Sequence, residues 1–282
     1  MSKSINAYGL YRLKIEIKNL LKQFLRIQSK PKRDKLLINE IYENIRQKKF
    51  ENLDRFSTPE DYLFDNTYIY PNGKIRYSLL FNRIVYGKSN HIAMLVLEII
   101  EGIMISTTCK YVIELGSGGG KNLIWFASKY NNIKFIGLEL NKTSVELANA
   151  AAKKFNITNI EFRVCDLTNP KEYKELLTKQ TFVYSHHTLE EMPRIYKIPL
   201  NEIKNSNVET VALLEPIYFF SFSRFFLDIS KRIRILNKDR LIGLKNFANR
   251  QLKKKFHIEL IDLGIGVKPE NPTSLLVLKR KK

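Results

Sequence analysis

The sequence predicts an α/β protein: a doubly wound, mostly parallel seven-stranded sheet with an antiparallel C-terminal edge strand, preceded by an N-terminal helical extension. Three observations predict it. From Tyr111 onward, short apolar runs alternate with segments of helical spacing, the pattern of repeated βαβ units. A glycine cluster, Gly116-Ser117-Gly118-Gly119-Gly120, follows the first apolar run, where a parallel strand must turn sharply. An acidic residue, Glu139, ends the second run about 20 positions later, where a doubly wound fold hydrogen-bonds a ribose hydroxyl.

The first strand is Tyr111, Val112 and Ile113, a β-branched and aromatic run suited to a buried parallel sheet. Glycine permits positive φ and has no Cβ, so the loop 116–120 can press its N–H groups against a nucleotide, and a helix opening near Lys121 adds unpaired donors. The alternation continues as helix 121–130, strand 133–140, helix 143–155, strand 160–164, a helix near 171–178, strand 181–185, a helix near 191–205 and strand 208–214. Right-handed crossovers then put helices on both faces of the sheet. Segments 256–263 and 274–278 form a final strand pair that supplies the antiparallel edge.

The division expected is 1–105 as a helical and aromatic-rich extension and 106–282 as the Rossmann-like core, with an insertion around 217–254. In the extension, Leu10, Leu13, Ile17, Leu20, Leu21 and Phe24 fall at helical spacing beside a stripe of Lys14, Lys18, Lys22 and Arg26. Such a basic amphipathic helix packs on the core as a cap or lies on a membrane surface. A second helix is predicted over about 34–49, and 56–87 reads as aromatic and irregular, with a turn at Pro71-Asn72-Gly73. Residues 90–105 read as a buried helix leading into the first strand.

The loop Glu114-x-Gly116-x-Gly118-x-Gly120 with Glu139 resembles the class I, Rossmann-like S-adenosylmethionine-dependent methyltransferases, over roughly Tyr111 to the C-terminus. The acid at Glu114 separates it from the dinucleotide dehydrogenases. The resemblance implies S-adenosylmethionine as cofactor. Its methionine part is held by the loop of Glu114, Gly116, Ser117, Gly118 and Gly120, its ribose by Glu139, and its adenine faces Asp166. A looser resemblance to sugar and surface-polysaccharide O-methyltransferases rests on His187 to Glu190, Glu215-Pro216 and Asn271-Pro272-Thr273-Ser274.

In an open sheet, ligands sit beyond the carboxyl ends of the strands, so the residues after the fourth core strand are the place to seek catalysis. Two of the four histidines, His186 and His187, stand there, followed by Glu190. An imidazole titrates near neutrality and suits the removal of a proton from a hydroxyl acceptor, with Glu190 orienting it. Strand alternation points the two rings in opposite directions. Glu215, at the end of the fifth strand, is a candidate for binding the acceptor. No histidine or cysteine spacing suits zinc, and no metal is expected.

The formal charge of +20 admits a polyanionic partner, but the excess lies in the first fifty residues and in 224–255, while the core is near balance. The segment 217–236 sets five phenylalanines beside Arg224, Lys231, Arg232 and Arg234; core burial is the default for so many phenylalanines, and a lid, an RNA-stacking surface or a site for an amphiphilic acceptor are the alternatives. Two cysteines, no apolar leader and no run long enough to span a bilayer suggest a cytoplasmic protein, with peripheral membrane contact through the basic helix as an option. The expected activity is methylation of a hydroxylated small or carrier-linked acceptor such as a sugar. RNA methylation and a catalytically silent scaffold stand as alternatives.

Overall fold

The computed structural model describes residues 35–64, 75–192, 195–217, 241, 243–266 and 272–281. The expectations for the basic helix over 10–26, the turn at 71–73 and nearly all of the aromatic segment 217–236 lie outside these residues.

Helix α1 (Lys35–Glu51) and helix α2 (Pro59–Phe64) precede a hairpin of β1 (Ile75–Leu80) and β2 (Arg83–Lys88), and helix α3 (Ser89–Ile105) leads into the core. The core runs β3 (Tyr111–Leu115), α4 (Lys121–Lys129), β4 (Lys134–Glu139), α5 (Lys142–Lys154), β5 (Ile160–Val164), β6 (Thr181–His186), α6 (Lys197–Asn205) and β7 (Thr210–Glu215). Helix α7 (Leu244–Arg250) and strands β8 (Phe256–Ile265) and β9 (Thr273–Arg280) follow.

The seven core strands lie in the order β5-β4-β3-β6-β7-β9-β8, as the sequence predicts for a doubly wound sheet. The pairings β3 to β4, β4 to β5, β3 to β6 and β6 to β7 are parallel. Strand β9 runs antiparallel to both β7 and β8, so it is inserted one place in from the edge and β8 is outermost. The chain steps outward from β3 to β5 and then returns to β6, which opens a crevice above the carboxyl ends of β3 and β6. Val112, Phe135 and Phe182 pack one face of the sheet against Leu123, Phe126 and Leu147, all buried. Ile113, Val183 and Val211 pack the other against Leu200, Ile203 and Leu252. The central strands β3, β4, β6 and β7 are thus buried on both faces, as the interior of a parallel sheet requires.

Three segments depart from the sequence reading. The helix expected near 171–178 is two short 3₁₀ turns, Pro170–Glu172 and Lys174–Leu176. So short a span cannot offset the cost of helix nucleation, and it is pinned instead by buried Tyr173, whose hydroxyl donates to the Leu167 carbonyl at 3.1 Å. The helix expected over 191–205 starts only at Lys197, because Pro199 is tolerated in a first turn and not further in. The segment 56–87, read as irregular, contains α2 and the hairpin. Thr58 and Asp61 cap α2 reciprocally, each backbone N–H donating to the other side chain at 3.1 Å. The hairpin turns on Phe81 and Asn82, both at positive φ, and docks through Leu79 N–H to the Gly266 carbonyl at 2.7 Å.

The N-terminal helices close on the glycine loop. Tyr62 of α2 donates its hydroxyl to the Gly119 carbonyl at 2.6 Å. Glu43 of α1 accepts hydrogen bonds from Asn141 Nδ2 at 2.6 Å and from the Thr143 hydroxyl at the start of α5.

Candidate active site

The glycine loop is held mostly by its own backbone. Gly116 and Ser117 N–H donate to the Leu138 carbonyl at 2.7 and 3.1 Å, and Gly120 N–H donates to the Ser117 carbonyl at 2.9 Å. Gly118 N–H donates to Glu139 Oε2 at 2.8 Å, while Asn141 N–H donates to Glu139 Oε1 at 2.9 Å. This corrects the expectation that these N–H groups face a nucleotide: four of the five are spent inside the protein. What the loop offers is close approach. A Cβ on Gly116 (φ 69°) would stand 2.2 Å from Thr188 Cγ2, and one on Gly118 (φ 53°) would stand 3.1 Å from Arg46 Nη2. Positive φ and absent side chains are both needed there. The Glu139 carboxylate keeps lone pairs beyond the two used, so it can still accept from ribose hydroxyls.

Glu114 lies beneath the loop, buried, with Oε1 accepting from Asn122 Nδ2 at 2.8 Å. Burial pushes its carboxyl up to about 8, against the lowering influence of Asn122 and Tyr184 and with the Glu139 charge adding to the rise. Glu114 Oε2, Ser117 Oγ and the Tyr184 hydroxyl that acts on Glu114 are buried without a hydrogen bond of ordinary geometry in the protein. Buried polar atoms are normally satisfied, so a buried acceptor on the strand that leads into the glycine loop could hold the ammonium end of a bound amino-acid moiety. Asp166 stands half-buried after β5, its Oδ1 accepting from Thr168 N–H at 2.9 Å and from the Thr168 hydroxyl at 2.7 Å. Glu114, Glu139 and Asp166 therefore stand at the carboxyl ends of three adjacent strands.

The second cluster is at the end of β6. His187 adopts φ 57°, a left-handed conformation costly for a residue with a Cβ and often found where a site imposes it. Leaving the strand this way, it defeats the expected alternation: the rings of His186 and His187 lie together, 5.1 Å apart and edge to face. His187 Nδ1 pairs with Glu190 Oε1 at 2.6 Å and Nε2 with the Thr273 hydroxyl at 2.7 Å. Glu190 and Thr273 are both buried. Burial lowers His186 to about 3, with the adjoining His187 charge acting the same way.

Glu215 is fully buried and turned into the protein. Its Oε1 accepts from the Ser185 hydroxyl at 2.8 Å, Thr188 N–H at 3.1 Å and Leu189 N–H at 3.0 Å, and Oε2 accepts from Glu190 N–H at 3.2 Å. Burial still raises its carboxyl to about 7. This residue organises the loop that carries His187 and Glu190, and it presents no surface to an acceptor. The segments quoted above, His187 to Glu190, Glu215-Pro216 and Thr273-Ser274, thus meet in one hydrogen-bonded cluster.

Sequence reasoning missed Thr188 and the pairing role of Thr273. Thr188 fills the space that a side chain on Gly116 would need, and its hydroxyl donates to the Gly116 carbonyl at 3.2 Å, which joins the two clusters. No local pattern marks a threonine for a contact 72 residues away. Among the described residues, no group of three His, Cys, Asp or Glu side chains could hold a metal ion, and no helix is long and apolar enough to cross a membrane.

Residues 107–214 match a protein family described as a methyltransferase domain. An uncharacterized protein of Rickettsia prowazekii (strain Madrid E) is 29% identical over 99 residues, 35% of this chain and 17% of that protein. A tRNA (guanine-N(7)-)-methyltransferase of Prochlorococcus marinus (strain NATL1A) is 34% identical over 55 residues, 20% of this chain and 26% of that protein. The matches span less than a third of either relative. A solved S-adenosylmethionine-dependent methyltransferase from Anabaena variabilis ATCC 29413 shares the fold, with TM-score 0.51 and 12% identity, over 90% of this chain and 98% of that one. Residues 107–214 thus match a methyltransferase domain, on a fold shared with an S-adenosylmethionine-dependent methyltransferase.

Proposed function

We propose that the protein methylates a hydroxyl group on a small or carrier-linked acceptor such as a sugar. The observation that carries this reading is the chain Glu190 to His187 to Thr273 at the end of β6. An alcohol must lose its proton as it becomes an ether, so its enzyme profits from a held base. S-adenosylmethionine bound over the glycine loop supplies the sulfonium methyl group. Glu190, accepting from Nδ1–H, fixes the tautomer of His187 that leaves the Nε2 lone pair to accept a proton. The buried Thr273 hydroxyl, bonded to Nε2, holds the ring in place until an acceptor hydroxyl replaces it there and gives its proton to Nε2. His186, held low near 3, is neutral in the working range and offers the acceptor an uncharged hydrogen bond rather than a base of useful strength.

Substitution of His187 by Gln is expected to lower kcat by about 100-fold or more, the scale of general-base catalysis, with S-adenosylhomocysteine affinity held within about twofold. Unchanged turnover would remove His187 from the reaction.

A second reading, RNA as acceptor, is favoured by similarity to a tRNA (guanine-N(7)-)-methyltransferase and by the basic N-terminal fifty residues. A guanine N7 carries no proton to remove, so this reading leaves the His187 relay without a task. It requires RNA binding that weakens steeply as salt rises.

A further inference from the structure

The N-terminal helix α1 lies outside the matched domain, yet Glu43 and Arg46, one helical turn apart on it, meet the turn after β4 and the glycine loop. Glu43 engages Asn141 and Thr143, beside the Glu139 carboxylate that would hold the ribose. Arg46 lies against the other arm of the crevice: Nη2 is 3.1 Å from the Cβ position of Gly118, and Nη1 is 3.4 Å from that of Gly119. Tyr62 fixes the same loop from α2 through the Gly119 carbonyl.

We infer that Arg46 binds the carboxylate of the cofactor's methionine part, so that the N-terminal extension completes the cofactor site. This rests on the cofactor assignment made above. The charge pattern carries it. Glu114 and Glu139 line the crevice with acceptors suited to an ammonium and to hydroxyls, and a carboxylate brought among them needs a cation. Four of the loop's five N–H groups cannot supply the compensation, because Gly116, Ser117, Gly118 and Gly120 spend theirs internally. A guanidinium presents a planar fork of donors that matches a carboxylate, and Arg46 sets that fork at the glycines where side chains are absent.

The test compares two ligands by calorimetry on the full chain: S-adenosylhomocysteine, which carries the carboxylate, and 5′-methylthioadenosine, which lacks the amino-acid end. Arg46→Met is expected to weaken the first by about 10- to 100-fold, the scale of a charge-assisted pair, and to leave the second within about twofold. Arg46→Lys is expected to restore part of the loss. Glu43→Gln serves as the control for helix docking and is expected to affect both ligands alike. Equal weakening of both ligands by Arg46→Met would reduce Arg46 to a structural contact, and no weakening of either would remove it from the site; each overturns the inference while leaving the cofactor assignment standing. Failure of the wild-type protein to bind either ligand would overturn both.

Discussion

Binding of the cofactor should expel a proton from Glu114. Its carboxyl sits at about 8 because burial penalises the charge, and its Oε2, near the Tyr184 hydroxyl, makes no hydrogen bond of ordinary geometry within the protein. At pH 7 such a group is about nine-tenths protonated, and an ammonium placed against Oε2 favours the ionised form, so about 0.9 proton leaves per site bound. At pH 8 the release falls to about half a proton, and below pH 7 the apparent affinity should drop close to tenfold for each pH unit. Titration calorimetry with S-adenosylhomocysteine in buffers of different ionisation enthalpy reads this directly: the slope of observed against buffer enthalpy is the number of protons released. Glu114→Gln keeps the size and the Asn122 neighbour but cannot ionise. It should bring the slope to zero and cost about 10-fold or more in affinity, as expected for a lost hydrogen bond to a charged group. A wild-type slope of zero at pH 7 would refute the placement of the ammonium at Glu114.

Other perturbations follow from the same contacts. Gly116→Ala drives a Cβ to within 2.2 Å of Thr188 at a left-handed backbone position, and should abolish detectable cofactor binding while thermal unfolding stays cooperative. Thr273→Val should reduce kcat on the true acceptor by about 10-fold or more, with Thr273→Ser close to wild type, because the reading requires the hydroxyl rather than the methyl group. The raised carboxyl of Glu215 gives the folded state the tighter hold on a proton. Its contribution to stability is therefore full below the unfolded value of 4.5 and lost as pH rises through about 7. Melting curves across that window should show wild-type Tm falling more steeply with pH than Glu215→Gln, and parallel curves would contradict the assignment.

Much of the fold was legible because parallel strands and glycine turns write themselves locally: Val112-Ile113, Phe135-Ile136 and Phe182-Val183 are apolar on both faces, and each precedes a turn at the crevice. Gly116, Gly118 and Glu139 were legible for the same reason, since a close approach and a strand-end acid are spaced by the βαβ unit itself. The chemistry at the end of β6 was legible only in part. His187, Glu190 and Glu215 could be singled out by type and place, but not that Glu215 would spend both oxygens on the backbone of 188–190 and the hydroxyl of Ser185. Nor could alternation reveal that His187 leaves the strand at positive φ and joins His186. Thr188, Thr273 and Arg46 act through contacts made only when distant segments fold together. The hairpin of β1 and β2 escaped notice because its turn residues, Phe81 and Asn82, lack the glycine that usually marks positive φ.

The most direct test supplies methyl-labelled S-adenosylmethionine and fractionated cell material to the wild-type protein and to His187→Gln. Label should enter a carbohydrate-bearing fraction as an alkali-stable ether with the wild type, and nearly vanish with the variant. Label entering RNA instead, or entering carbohydrate equally with both proteins, would contradict the account.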